Sequence, residues 1–462
     1  MKLISLVVGT TLLALHGPTA IAGMDCRLAS TASELAVCAN PSLYQLDVRM
    51  GALYTRLRKS YPQTLPALQQ AQRAWLKQRN SCADEPGCLR SQYSERLVAL
   101  HRQLRDHLVY QPDDIDQLAL EDLRQAVEQA RQADAEFPLE SVLKSLQIKS
   151  ATTRFQNVSD DPESFKPATF PRHRPDGVSP DEWRALQKSN IDYDGESGNT
   201  SYTLIDLDGD GLRDLVIDTY TGGTGLFSYI RTLRRSADSF VGAMEFDEPS
   251  DDDEFSSYLY SLNERGANQE GYWIALRGRV YAAYRVGSYA IDHLYLLPPL
   301  APAGQVPTLT LNYRYDLSIP KVQAAPSEAS KAELSEDELA ALSQALNLVD
   351  TTSANTTGNL DAPLCPVPPG LSDDLKREYY GFGPGHYTYE IVADMPVMLE
   401  GHCHIGRLAN WFGSYAPKHG LHAQLWVRRP GSSEARDYQV HGLRELVGTT
   451  TSLGDVEGDN GF

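Results

Sequence analysis

The chain has 462 residues, of which 41% are hydrophobic, enough for two to four domains with cores of their own. Its formal charge of -19, from 42 Lys and Arg against 61 Asp and Glu, excludes nucleic acid as the general partner and favours a cationic one. Beyond the N-terminus no apolar run approaches the ~18 residues of a membrane helix, so membrane insertion is not expected.

Residues 1–22 read as a secretory signal peptide. Lys2 supplies the positive start, Leu3 to Leu15 the apolar stretch, and Ala20-Ile21-Ala22 the small-x-small cleavage pattern. The mature chain then begins near Gly23. Cys26 follows Gly23-Met24-Asp25 rather than the aliphatic and small residues of a lipobox, so a soluble periplasmic or secreted product is expected. Six cysteines behind such a signal imply disulfides.

In residues 23–108, Leu35, Leu43, Leu46, Met50, Leu53 and Leu57 recur at helical spacing from Ser33 to about Tyr61, where Pro62 ends the run. Further helices are expected from Thr64 to about Cys82 and from Cys88 to about Leu108. An antiparallel three-helix unit of this size needs staples. Cys26, Cys38, Cys82 and Cys88 provide them. Three connectivities are open, and placing Cys82 beside the start of the first helix favours the two that link the first pair to the second. Cys365 and Cys403 are expected to bridge each other.

Cys26, Cys38, Leu43-Tyr44-Gln45-Leu46-Asp47, Tyr54, Gln72-Arg73-Ala74-Trp75-Leu76, Arg79, Cys82, Cys88, Tyr93, Arg96 and Leu97 together resemble the LprI-like lysozyme-inhibitor domain of bacterial envelope proteins. The resemblance covers residues 24–107. It implies an envelope protein whose partner is a lysozyme, with Trp75 and Leu76 as core and Arg79 paired to Asp47 or another carboxylate between helices.

Residues 109–178 read as a helical connector and linker. Leu118, Leu123, Val127, Leu139, Val142, Leu143 and Leu146 mark possible helix faces among alternating charges. Residues 179–319 read as an antiparallel β-rich domain preceded by a short helix, for which Ser179 and Glu182 form a capping box. Its distinctive stretch runs from Tyr202 to Tyr229. Asp206, Asp208, Asp210 and Asp214 alternate around a tight turn at Gly211, with the Leu212 carbonyl as a further oxygen. Hard oxygen donors in that pattern point to calcium. No bidentate Glu closes the loop and the apolar run Leu215-Val216-Ile217 follows, so a strand-connecting loop is expected rather than an EF-hand.

Thr221-Gly222-Gly223-Thr224-Gly225 follows, flanked by Phe227 and Tyr229. No Gly-Lys-Ser/Thr accompanies it, which sets a phosphate loop aside. Gly222, Gly223, Thr224 and Gly225 are expected to form a recognition loop that enters a hydrolase cleft, with Tyr229 and Tyr289 packed behind and calcium preorganising it. The acidic run Asp247 to Glu254 sits in another loop, suited to steering a basic enzyme.

Residues 320–362 read as linker and helix, with Ser335 and Glu338 as a capping box, residues 363–450 as a second β-rich module, and residues 451–462 as a flexible tail. His402-Cys403-His404 invites a zinc reading, but Cys403 already has Cys365. Asp292-His293 lacks a nucleophile elbow. No catalytic constellation emerges. The sequence therefore describes a multi-domain chain, with a disulfide-stapled α-helical N-terminal domain followed by antiparallel all-β domains bearing a calcium-type Asp loop. The function expected is inhibition of a cationic peptidoglycan hydrolase or lysozyme, with no catalysis. The alternative is a calcium-stabilised envelope interaction protein.

Overall fold

The computed structural model describes residues 23–60, 65–159, 167–189, 191, 195–223, 226–242, 258–263, 268–302, 304–323, 332–353, 361–383, 389–416 and 420–456. The signal peptide expected at residues 1–22, Thr224, Gly225 and the acidic run Asp247 to Glu254 lie outside them. The chain divides into two compact units, Met1–Val109 and Tyr110–Phe462. No helix among the described residues is long and apolar enough to cross a membrane.

The first unit has four helices: α1 (Ala32–Ala39), α2 (Pro41–Ser60), α3 (Leu65–Ser81) and α4 (Pro86–Leu108). The single helix expected from Ser33 onward is therefore two. Pro41 forces the preceding Asn40 out of the helical region, to φ -114° and ψ 108°. The freed N-terminus of α2 is then capped by the Asn40 side chain, which accepts from Ser42 N. Ser33 at the start of α1 does lie against the end of α3, donating toward Arg79 O and Asn80 O. The bridges nonetheless run within each cysteine pair, Cys26–Cys38 and Cys82–Cys88, which corrects the expected links between pairs. Each closes a short local segment whose Cα atoms are already 5.7 and 5.6 Å apart.

The second unit opens with α5 (Asp114–Ala130) and α6 (Pro138–Leu146), followed by β1 (Thr153–Gln156) and α7 (Pro180–Lys188). Strands β2 (Thr200–Ile205), β3 (Asp214–Gly222), β4 (Phe227–Ser236), β5 (Ser239–Gly242) and β6 (Tyr260–Asn263) join β1 in a six-stranded antiparallel sheet. An eight-stranded sheet takes β7 (Asn268–Leu276), β8 (Arg279–Ser288), β9 (Ile291–Leu297) and β10 (Gln305–Ser318) from one half of the unit. From the other half it takes β13 (Tyr389–Leu399), β14 (His402–Ala416), β15 (Gly420–Arg428) and β16 (Ala435–Asp455). Between them lie the short pair β11 (Val322–Gln323) and β12 (Ala332–Glu333), then α8 (Glu336–Leu346) and α9 (Asp373–Arg377).

The order β13-β14-β15-β16-β10-β9-β8-β7 places β16 beside β10, in register from Gln305↔Asp455 to Ser318↔His441. Residues expected in two β modules thus share one sheet. Residues 451–455 of the expected tail are strand. The expected connector is also structural: β1 pairs with β2, and α5 and α6 bury Leu123, Val127, Leu139 and Leu143 against Tyr281, Leu294, Leu309 and Tyr313. α8 packs Leu342 and Leu346 with Val392, Leu425 and Val440. The sheet's opposite face meets the six-stranded sheet, Tyr284, Tyr295 and Leu297 against Ile205, Val216 and Ile230. α7 covers that second sheet's outer face through Ala185 and Leu186. Its Ser179–Glu182 capping box is complete. At α8 only half of the expected box forms, because the Glu338 carboxylate accepts from Tyr438 Oη instead.

Candidate functional site

In the helical unit the motif residues converge inward. Asp47 is buried and accepts from Tyr93 Oη at 2.7 Å and from Met24 N at 2.7 Å. Arg79 Nη1 donates to Tyr93 Oη at 3.1 Å, and the Arg79 guanidinium lies 5.6 Å from the Trp75 ring centroid. Trp75 packs edge-on to Tyr93 and donates its indole N–H to Gln92 O. Beside them Arg96 donates twice to Gln72 Oε1. Arg79 reaches Asp47 through Tyr93, while Glu34 is its nearer carboxylate at 3.9 Å. These residues hold three helices together and offer little to a partner.

The Asp loop enters β3. Asp206, Asp208 and Asp210 bring one carboxylate oxygen each to within 4.8 Å of one another. Gly209 and Gly211, at φ 77° and 85°, allow the turn. Both Asp206 oxygens accept loop N–H groups, from Gly209 at 2.8 Å and Gly211 at 3.0 Å. Three clustered carboxylates suit a hard cation such as calcium, and each keeps lone pairs beyond its backbone bonds, while Asp208 Oδ2 is also paired with Arg234 Nε at 3.3 Å. Asp214 stands apart from this group. It is buried, accepts from Arg235 N and Leu207 N, and burial pushes its carboxyl up to about 6.

The glycine loop is the β3–β4 hairpin. A bulge falls between Tyr220 and Gly222, and Gly222 and Gly223 sit at φ 71° and 79°. Gly223 O accepts from Leu226 N, closing the turn. The Asp loop precedes β3 and this hairpin follows it, so nine strand residues, roughly 30 Å of extended chain, separate them. An ion held at the first would therefore lie at the opposite end of β3 from the second. Tyr229 is half-buried on β4, its ring 4.4 Å from that of Tyr258, over which Arg231 lies at 4.3 Å. Tyr258 and Arg231 were not anticipated; the Tyr229/Arg231 alternation on β4 was the available signal. Tyr289 does not belong to this surface. It is 2% exposed, stacked on Tyr315 in the core of the larger sheet, and its N–H is held by Glu390.

The readings set aside also have structural accounts. Cys365 and Cys403 are bridged. Asp292 is buried beneath α6, 2.8 Å from Arg285 and 3.5 Å from Arg444, in a cluster completed by Glu140. Comparison with curated proteins and with solved structures returns no match. Residues 26–107, which run from the first cysteine to the last turn of α4, match the family model of lysozyme inhibitor LprI.

Proposed function

We propose that the chain is an exported binding protein, not an enzyme, that inhibits a peptidoglycan hydrolase of the lysozyme type as an inhibitor or immunity factor. The observation that carries this reading is the family match over residues 26–107, whose motif residues assemble a complete, stapled helical unit. In this reading the β3–β4 hairpin with Gly222 and Gly223, extended by Thr224 and Gly225, enters the hydrolase cleft. Tyr229, Tyr258 and Arg231 are residue types enriched at interface hot spots, and they add a firm edge beside it. Separately, Asp206, Asp208 and Asp210, with the Leu212 carbonyl, take up one calcium ion that stabilises the β2–β3 connection.

Turbidity clearing of cell-wall suspensions by a panel of lysozymes and lytic transglycosylases tests the reading. Gly223→Arg is expected to abolish inhibition, since bulk blocks close approach. Gly223 sits at φ 79° with Phe227 Cδ2 3.8 Å from its missing Cβ, so Gly223→Ala carries the same backbone strain without the bulk and should retain most of it. Chelation is expected to lower the melting temperature while inhibition at 25 °C persists; a calorimetric titration without calcium heat would remove the ion from the account. A second reading, a calcium-stabilised interaction protein of the envelope, draws support from the burial of the helical motif residues. It prevails if the wild type inhibits nothing in the panel.

A further inference from the structure

One rung of the larger sheet sets two imidazoles side by side. His422 on β15 and His441 on β16 are directly opposed partners, and Ser318 on β10 continues the rung. Opposed residues send their side chains to the same face of a sheet. Here that face also carries Arg314, Asp316, Leu443 and Glu445. It is open to solvent at this rung, where His422, Ser318, Asp316 and Leu443 are exposed and His441 is half-buried. The two ring centroids lie 5.0 Å apart, with the ring planes inclined at 69°.

A transition metal bonded to an imidazole nitrogen at about 2.0–2.1 Å stands roughly 3.2 Å from the centre of that ring. Two rings sharing one ion, at ligand angles between the square-planar and the tetrahedral value, therefore have their centres about 4.5–5.3 Å apart. The observed separation of 5.0 Å falls inside that interval. Each imidazole has two ring nitrogens, so one given to an ion leaves the other for a hydrogen bond that orients the ring. The backbone that spaces the two is already fixed, because β15 pairs with β16 from Leu421↔Gly442 to Arg428↔Ala435 and β16 pairs onward with β10. Asp316, at the neighbouring rung position of β10 on the same face, adds negative charge, while Arg314 and Glu445 beyond it balance each other. The donors differ in kind from those of the Asp loop. Imidazole nitrogen suits zinc or copper, carboxylate oxygen suits calcium.

We infer that His422 and His441 form a chelating site for one divalent transition-metal ion, zinc or copper(II), completed by water, and that the ion ties β15 to β16. The site stands independently of the proposed inhibition. Calorimetric titration of the full mature chain with zinc chloride and with copper(II) chloride tests it, with excess calcium present to occupy the Asp loop. The expected result is one ion per chain, copper bound more tightly than zinc, and a melting temperature raised by either metal. His422→Ala and His441→Ala are each expected to weaken binding about tenfold or more, because a single remaining ligand no longer chelates, whereas His402→Ala should leave it within about twofold. Electron paramagnetic resonance of the copper-loaded wild type reads the site without any substitution, and two nitrogen ligands are expected. Undiminished affinity in the His422→Ala/His441→Ala double variant overturns the inference. So does a resonance signal from oxygen ligands alone, or binding by the wild type only at millimolar metal.

Discussion

Two carboxylates buried in the larger sheet are handled in different ways. Asp292 shares its oxygens with Arg285 and Arg444, so its charge is matched where it sits. Among the described residues Glu390 is met by neutral donors alone, the Tyr289 N–H and the Asn410 side chain, and burial pushes its carboxyl up to about 7. Its raised folded value means that its contribution to stability is complete below the ordinary glutamate range. That contribution is then lost as pH climbs from about 4.3 to about 7. Glu390→Gln keeps an acceptor for Tyr289 N–H, and Asn410 Oδ1, buried without a partner among the described residues, can receive the new amide. We therefore expect the variant to be more stable than wild type at pH 8, by on the order of 1–3 kcal/mol, and the difference to vanish near pH 4. Denaturant melts at the two pH values check this; an equal difference at both would exclude the titration of Glu390 as its cause.

At the scale of elements, short-range signals served well and bridges were decided by geometry. Pro41 split one expected helix, and Ser179 capped α7 as its spacing implied. The Cys365–Cys403 bridge ties a strap, residues 364–383, across one face of β14 and β15. Arg407 donates to Gly383 O and Arg428 to Glu378 O, both guanidiniums lying over Phe382. Chain-entropy reasoning gives this bridge, with a separation of 38, about 4 kcal/mol, and Cys82–Cys88, with a separation of 6, about 2 kcal/mol. Replacing Cys365 and Cys403 by Ser is thus expected to destabilise the second unit more than the Cys82/Cys88 double replacement destabilises the first. Urea midpoints followed by signals specific to each unit would show the order, and the opposite order would mean that the strap is held by its arginines alone.

At the scale of the whole molecule, β16 is the keystone of the second unit because it lies between β15 and β10. Its register with β10 runs over fourteen residues of that strand, and Arg444 on it reaches Glu136 O and Glu140 of the α5–α6 region. Deleting residues 435–462 is expected to unfold the whole of residues 110–434, including the strands before residue 319. Limited proteolysis measures this directly. A stable fragment covering residues 179–319 would restore two separate β modules.

The amino-acid order alone determined what local chemistry decides. Gln72, Trp75, Arg79 and the bracketing cysteines marked the LprI-like unit now matched over residues 26–107. Asp/Gly spacing marked a turn whose carboxylates do converge at Asp206, Asp208 and Asp210, and even cysteine usage marked the Cys365–Cys403 bridge. Strand pairing was a different matter. Period-two alternation shows which side of a strand is apolar but not which strand lies beside it, so β10 and β16, more than a hundred residues apart, could be united only by the fold. The same holds for Tyr289 and Asp214, which carry side chains suited to a surface or an ion and are buried instead. Burial is set by the elements packed above a residue, and those are chosen by non-local apolar contact rather than by neighbours in the chain.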